Sequence, residues 1–204
     1  MSDLFPLFLK LEGRRCVIVG AGNIALQKLA GLLDSGADLH VIAPAAAEAI
    51  AQLAREGRLT WARAEFEPSH LDGAVLVITA TGDPAVNEKV YRAAIERGVL
   101  CNSVDEPARC DFYYPAVVRR GDLQIAISTA GKSPALAQRI RRELEEQFDA
   151  SYIAWLDWLG SVRELFFRHR VEAQLRTQTL HRIAGRTVFE RFRQSREKHG
   201  GNRG

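Results

Sequence analysis

Val17-Ile18-Val19-Gly20-Ala21-Gly22-Asn23-Ile24-Ala25 is an apolar run that passes at once into a G-x-G-x-x-A turn and then into a helical stretch. Residues 16–19 read as a buried strand and residues 24–34 as a helix. Each small residue has a physical reason to be there. Gly20 permits the tight turn, Gly22 lets a pyrophosphate approach the backbone, and Ala25 lets helix and strand pack closely, with the helix N-terminus facing the phosphates. A plain tight turn competes with this reading. What favours the dinucleotide is the turn's place at the first strand–helix junction of a βαβ unit.

Outward from this turn, apolar runs and helical stretches alternate. Residues 39–43 read as a second strand, 46–55 as a helix, 59–66 as a more amphipathic third strand and 75–80 as a strongly apolar fourth. Residues 84–97 suit a helix with Pro84 in its first turn, and residues 99–104 a further strand. Strands separated by helices imply crossovers and a parallel sheet covered on both faces. After Pro107 the pattern changes. Two β-like runs, 112–119 and 123–129, are joined by Arg120-Gly121-Asp122 as a hairpin, and residues 134–148 follow as a helix. That is too little to bury a core alone, so this segment is expected to pair with something else, such as a second subunit. From Ser151 the chain reads as helical, with Tyr152, Trp155, Leu156, Leu159, Val162, Leu165 and Phe166 forming a packing stripe and the last six residues frayed.

The expected fold is therefore α/β: a Rossmann-type parallel-sheet domain (1–111), then a small α+β segment (112–149) and a C-terminal helical domain (150–204). The 204 residues, 47% hydrophobic and 26% charged, are an ordinary globular make-up. No apolar run reaches the ~18 residues of a membrane helix, and the amino terminus does not read as a secretory signal. Three cysteines, Cys16, Cys101 and Cys110, are too scattered for a disulfide framework or a zinc ribbon, which suits a reduced cytoplasmic setting. The net charge of +3 hides an asymmetry. Residues 151–204 carry eleven Lys and Arg against five acids, while the first 150 residues have a net −3. Such a basic tail is a solvated helical face or, in a competing reading, a nucleic-acid arm.

A ribose-binding acid belongs about 20 residues beyond the glycines, at the end of the second strand. That strand ends Ile42-Ala43-Pro44-Ala45, with Asp38 before it and Glu48 after it. No Arg stands there either, so the choice between NAD and NADP stays open. The other loops at strand ends, 79–83 with Thr81 and Gly82 and 101–107 with Asn102 and Val104, offer hydroxyls, an amide and a carboxylate to a nicotinamide ribose or a substrate. Candidate cofactor residues are accordingly Gly20, Gly22, Asn23, Ile24, Pro44, Ala45, Thr81, Gly82, Asn102 and Val104.

Several stretches together resemble one family. They are Pro6-Leu7-Phe8, Leu11-Glu12-Gly13-Arg14, the glycine turn with Lys28 on the next helix, Ala80-Thr81, Cys101-Asn102-Ser103-Val104-Asp105 and Ile127-Ser128-Thr129-Ala130-Gly131-Lys132-Ser133-Pro134. The sequence is similar to the precorrin-2 dehydrogenase/sirohydrochlorin ferrochelatase family of siroheme synthesis, over residues 3–150 closely and over the helical tail loosely. With no methyltransferase following, it resembles the free-standing form. The resemblance implies a homodimer whose subunits interlock around residues 112–148. It also implies oxidation of precorrin-2 to sirohydrochlorin with NAD⁺ and, in many members, insertion of Fe²⁺.

By the same resemblance Asp105 matches the catalytic aspartate, accepting protons during oxidation and metal insertion. Its competing reading is a turn-capping Asp before Glu106-Pro107. The substrate is a polycarboxylate, which makes Ser128, Thr129, Lys132 and Ser133, ahead of a helix at Pro134, and Arg109 candidate substrate contacts. Ser133 as a simple helix cap competes. His40, His70, His169, His181 and His199 fall at no ligand spacing, so no metal site is expected. The expected partners are a tetrapyrrole, ferrous iron as substrate and a second copy of the chain, without nucleic acid or membrane. Two functional alternatives stand beside this: a dehydrogenase without chelatase activity, and a non-catalytic NAD-sensing module.

Overall fold

The computed structural model describes residues 4–104 and 106–200. The backbone groups into two compact units, Met1–Tyr114 and Pro115–Gly204.

The first unit is a five-stranded, wholly parallel sheet in the order β3-β2-β1-β4-β5. Its strands are β1 (Arg15–Val19), β2 (Asp38–Ile42), β3 (Thr60–Ala62), β4 (Ala74–Thr79) and β5 (Leu100–Ser103). Helices α1 (Asn23–Leu32), α2 (Glu48–Arg55) and α3 (Pro84–Arg97) connect them, with a short 3₁₀ turn at Pro68–Leu71. The period of two along β1 sorts its side chains to opposite faces. Cys16 and Ile18 join one core with Ala25, Leu29 and Leu32 of α1 and Ile50 of α2. Val17 and Val19 join a second core with Leu71 and with Val90, Ala93 and Ala94 of α3. Val17 and Ile18 are fully buried; each such side chain is worth roughly 1.5–3 kcal/mol of transfer free energy. The doubly covered sheet explains why its central strands read as unbroken apolar runs.

Helix α3 has the bounds that its sequence suggests, because both ends are marked. Asp83 accepts the Ala85 N–H at 2.8 Å, Pro84 occupies the first turn, and Gly98 ends the helix in the left-handed conformation at φ 64°. Two strands differ from expectation. The run 59–66 contracts to Thr60–Ala62, because Ala64 N–H turns back onto Ala62 O (3.0 Å) and leaves the ladder. The run from Phe112 does not begin a hairpin strand. Instead Asn102 and Cys110 form an antiparallel bridge, and Asp111 clasps β5, its carboxylate accepting the Cys101 N–H at 2.8 Å.

The second unit opens with an antiparallel hairpin, β6 (Ala116–Arg120) and β7 (Leu123–Ile127). It continues with α4 (Pro134–Gln147), α5 (Ser151–Arg168), α6 (Ala173–Ile183) and α7 (Arg186–Gly200). Residues 115–149 and 150–204 thus lie in one unit. Arg120 ties β6 to the end of α4, its guanidinium donating to Phe148 O (2.7 Å) and Glu145 O (3.0 Å), two of the carbonyls a helix end leaves unpaired. The aromatic stripe packs α5 on α7: Trp155 is buried, stacks on Trp158 and meets Phe189 and Phe192 edge-on. Leu165, from the same stripe, is 47% exposed. Helix α7 runs through His199 to Gly200, the first two of the six residues expected to be frayed; the other four, 201–204, lie outside the described residues. Among the described residues no helix is long and apolar enough to cross a membrane.

Candidate functional site

The strand order reverses between β1 and β4. From β1 the chain steps to β2 and β3 on one side, then returns to β4 and β5 on the other. A crevice opens at the carboxyl ends of strands at such a switch point. Here the two central turns are in backbone contact. Ala80 N–H donates to Val19 O at 2.8 Å and Gly20 N–H to Ile42 O at 2.9 Å. Gly20 sits at φ 105°, and a Cβ on it would stand 2.4 Å from Ala80 O, so glycine is required by both conformation and space.

Gly22 differs in kind. Among the described residues a Cβ there would meet nothing within 4 Å, so open space lies before the amino end of α1. Gly22 is the N-cap, no side chain among the described residues caps the helix, and its first turn holds no acid. The first helical bond is Leu26 N–H to Gly22 O (3.0 Å), which leaves the N–H groups of Asn23, Ile24 and Ala25 without helical acceptors. Bare N–H groups, a positive dipole end and room for an approaching group are the requirements of a pyrophosphate. These residues fit the diphosphate of a dinucleotide.

The other predicted cofactor residues divide. Pro44 and Ala45 are exposed just past β2, and Gly82 is exposed past β4. Thr81 spends its hydroxyl on the loop: Oγ1 donates to Asn87 Oδ1 (2.7 Å) and accepts the Asp83 N–H (3.2 Å). Val104 is anchored through its N–H to Thr79 O (3.1 Å). Asn102 is 6% exposed, and its amide donates to Phe112 O (2.8 Å); its visible work is to hold the returning chain against β5. Asp105, the proposed base, lies outside the described residues. Its flanks are fixed, by Val104 on one side and by Glu106 N–H to Ser103 O (3.2 Å) on the other.

Arg109 is not a free cation. Its guanidinium binds Glu88 on α3 (2.6 Å) and Glu106 (2.6 Å), tying the loop after β5 to that helix. Glu88 is held below the usual carboxylate range by its bond from Arg92 and by the nearby charge of Arg109. Lys28, on α1, lies with its ammonium 4.5 Å from the centre of the Tyr114 ring. Burial pushes the thiols up: Cys16 to about 11, with Asp38 adding to it, and Cys101 to about 12. Both are inert packing groups at neutral pH.

Ser128, Thr129, Lys132 and Ser133 belong to the second unit, where they form the turn from β7 into α4. Ser133 is the N-cap, accepting Leu136 N–H at 3.2 Å. Thr129 Oγ1 accepts Ser133 N–H (3.2 Å), and Ser128 Oγ accepts Ala130 N–H (3.1 Å). Ala130 and Gly131 adopt positive φ of 51° and 78°. The capping role of Ser133 is therefore real. Each hydroxyl acts as acceptor, which leaves its own proton to donate. Among the described residues no group of three His, Cys, Asp or Glu side chains comes together to hold a metal ion.

Sequence reasoning missed one pair at the end of β2. Trp61 on β3 donates its indole N–H to Ala43 O at 3.0 Å, and the Arg63 guanidinium stacks 4.4 Å from the centre of that ring. Only the parallel register, which sets Ala62 against Ile42, brings Arg63 beside the β2 end.

Residues 7–116 match the family model described as "Putative NAD(P)-binding", and residues 120–147 match "Sirohaem biosynthesis protein central". The chain is 40% identical over 162 residues to a siroheme synthase of Photorhabdus laumondii, covering 79% of this chain and 34% of that protein. It is 43% identical over 143 residues to siroheme synthase 1 of Aeromonas salmonicida, covering 70% and 31%. The chain thus spans about a third of the length of these curated relatives. Among solved structures it is similar to "SirC, precorrin-2 dehydrogenase", with a TM-score of 0.77 and 30% identity over 96% of this chain and all of that one.

Proposed function

The chain belongs to the precorrin-2 dehydrogenase/sirohydrochlorin ferrochelatase family, and on that premise we propose that it oxidises precorrin-2 to sirohydrochlorin with NAD⁺. The observation that carries the reading is the uncapped amino end of α1 facing open space at Gly22, set at the switch point of a parallel sheet. The likeness to a precorrin-2 dehydrogenase over 96% of this chain supports the choice of substrate. NAD⁺ supplies the hydride acceptor. Precorrin-2 loses one hydride and one proton, so each turnover yields sirohydrochlorin, NADH and H⁺.

The roles of this chain's residues follow from that balance. The N–H groups at Asn23 and Ile24 hold the diphosphate, and Gly22 keeps the approach clear. Pro44 and Ala45 border the adenosine end; the loops at Thr81-Gly82 and Val104 border the nicotinamide end. Asp105 accepts the proton at its carboxylate, and Arg109 is a positioning residue that braces the loop carrying it. The substrate's carboxylates suit the hydroxyls of Ser128, Thr129 and Ser133, the ammonium of Lys132 and the amino end of α4. Residues 112–149 are the segment through which two copies pair, and the setting is cytoplasmic. Insertion of Fe²⁺ into sirohydrochlorin is a second step, supported by the relatives' name of siroheme synthase; there Asp105 takes up pyrrole N–H protons and iron is a substrate.

The test is Asp105→Ala under anaerobic conditions. The variant should keep its fold and its NAD⁺ affinity while turnover falls by at least about a hundredfold, the scale of a lost general base. Turnover at the wild-type rate would remove Asp105 from the mechanism.

A further inference from the structure

The end of β2 carries no acid to bind a ribose 2′-hydroxyl: it reads Ile42-Ala43-Pro44-Ala45. Yet that position is furnished from the neighbouring strand. Ala43 N–H bonds to Ala62 O (3.2 Å), so Arg63 leaves β3 level with Ala43, the position from which an acidic side chain ordinarily reaches the ribose. Trp61 is held by its indole bond to Ala43 O, and the Arg63 guanidinium carbon lies over its ring, 4.4 Å from the centre. A guanidinium over a ring face retains its N–H donors, in a fork matched to phosphate oxygens. Among the described residues no carboxylate pairs with Arg63, nor with Arg14 or Arg15 of the same unit, whereas Arg55, Arg58, Arg92, Arg97 and Arg109 each have one.

We propose that Arg63, held on Trp61 beside Ala43, is the residue that reads the adenosine ribose, and that it accepts a 2′-phosphate as well as a 2′-hydroxyl. The chain therefore binds NADP⁺ alongside NAD⁺. An acid at the end of β2 would repel the extra phosphate; here that charge is absent and a cation stands in reach. The inference rests on the dinucleotide reading of the crevice and adds which form of the dinucleotide it admits.

The experiment is calorimetric titration of the intact chain with NAD⁺ and with NADP⁺, for the wild type, Arg63→Ala and Arg63→Glu. No turnover enters the readout. The wild type should bind both. Arg63→Ala should lower the ratio of NADP⁺ to NAD⁺ affinity by at least about tenfold, the scale of a lost charge-assisted contact, and Arg63→Glu should lower it further. A fall of less than about tenfold in both variants, or wild-type binding of NAD⁺ alone, overturns the proposal while leaving the dehydrogenase reading intact. Failure of the wild type to bind either nucleotide overturns both. Far-ultraviolet circular dichroism of the variants distinguishes lost recognition from lost folding, and Trp61→Phe, which keeps a ring but removes the bond to Ala43, should lower the ratio of NADP⁺ to NAD⁺ affinity in the same direction.

Discussion

Gly20 and Gly22 stand two residues apart in one motif, and the structure assigns them different work, so alanine at each should fail differently. In Gly20→Ala the new methyl would lie 2.4 Å from Ala80 O, 2.7 Å from Ala80 C and 3.1 Å from Thr81 N. Ala80 would have to retreat by roughly 1 Å to reach ordinary contact, which strains its 2.8 Å bond to Val19 O. The residue also sits at φ 105°, a strain of about 1–3 kcal/mol for an L side chain. Forcing a methyl into packed backbone adds about 1–3 kcal/mol. Together these give about 2–6 kcal/mol of lost stability. Gly22→Ala meets no atom of the described residues within 4 Å and keeps φ −88° and ψ −167°, extended backbone open to any residue. Its cost is the poorer N-cap, within about 1 kcal/mol. The methyl nonetheless occupies the space required by the diphosphate, so NAD⁺ affinity should fall by at least about tenfold. Urea unfolding monitored by circular dichroism, paired with NAD⁺ titration, separates the two. Equal losses of stability, or unchanged NAD⁺ affinity in a folded Gly22→Ala, would contradict this division of labour.

Further outcomes follow from individual contacts. Burial lifts Cys16 to about 11 and Cys101 to about 12, above an ordinary thiol near 9. The unfolded chain therefore releases these protons first, and stability should decline as pH rises from about 9 through the folded values; Cys101→Ala should shorten that alkaline decline in a pH series of urea midpoints. Glu172 caps α6 by accepting the Gln174 and Leu175 N–H groups, which lower its carboxyl. Its contribution is present above the unfolded carboxyl's range and is lost as pH falls through the lowered folded value, so Glu172→Gln should flatten the acid limb of the unit's unfolding curve. Ser133→Ala should cost about 1 kcal/mol through the lost cap. Ser133→Asp keeps the cap and sets a carboxylate against those of the substrate, so KM for precorrin-2 should rise by about tenfold or more with stability retained; an unchanged KM would confine Ser133 to capping.

The sequence disclosed the parts of the molecule whose causes are local. The glycine turn, the apolar central strands and the ends of α3 follow from φ, burial and capping at single residues such as Gly20, Val17 and Asp83. Less legible were features made by partners distant in the chain. Phe112 to Tyr114 has the composition of a strand, but Asn102 and Asp111 bind this returning segment to β5, a pairing that no period reveals. Arg109 reads as a candidate substrate contact until Glu88, on another element, is seen to hold it. Arg63 is not legible as a neighbour of the β2 end, because only the register of β3 brings it there. The glycine turn shows that a dinucleotide fits; it says nothing of what is oxidised, which came from the resemblance and the comparisons.

The most direct measurement is anaerobic incubation of the chain with enzymatically prepared precorrin-2 and NAD⁺, following NADH absorbance and the tetrapyrrole spectrum together. One NADH formed for each sirohydrochlorin is the predicted result, and Fe²⁺ added afterwards should give siroheme faster than the uncatalysed reaction. If the chain binds NAD⁺ yet neither NADH nor sirohydrochlorin accumulates, the dehydrogenase account is wrong and a nucleotide-sensing role takes its place.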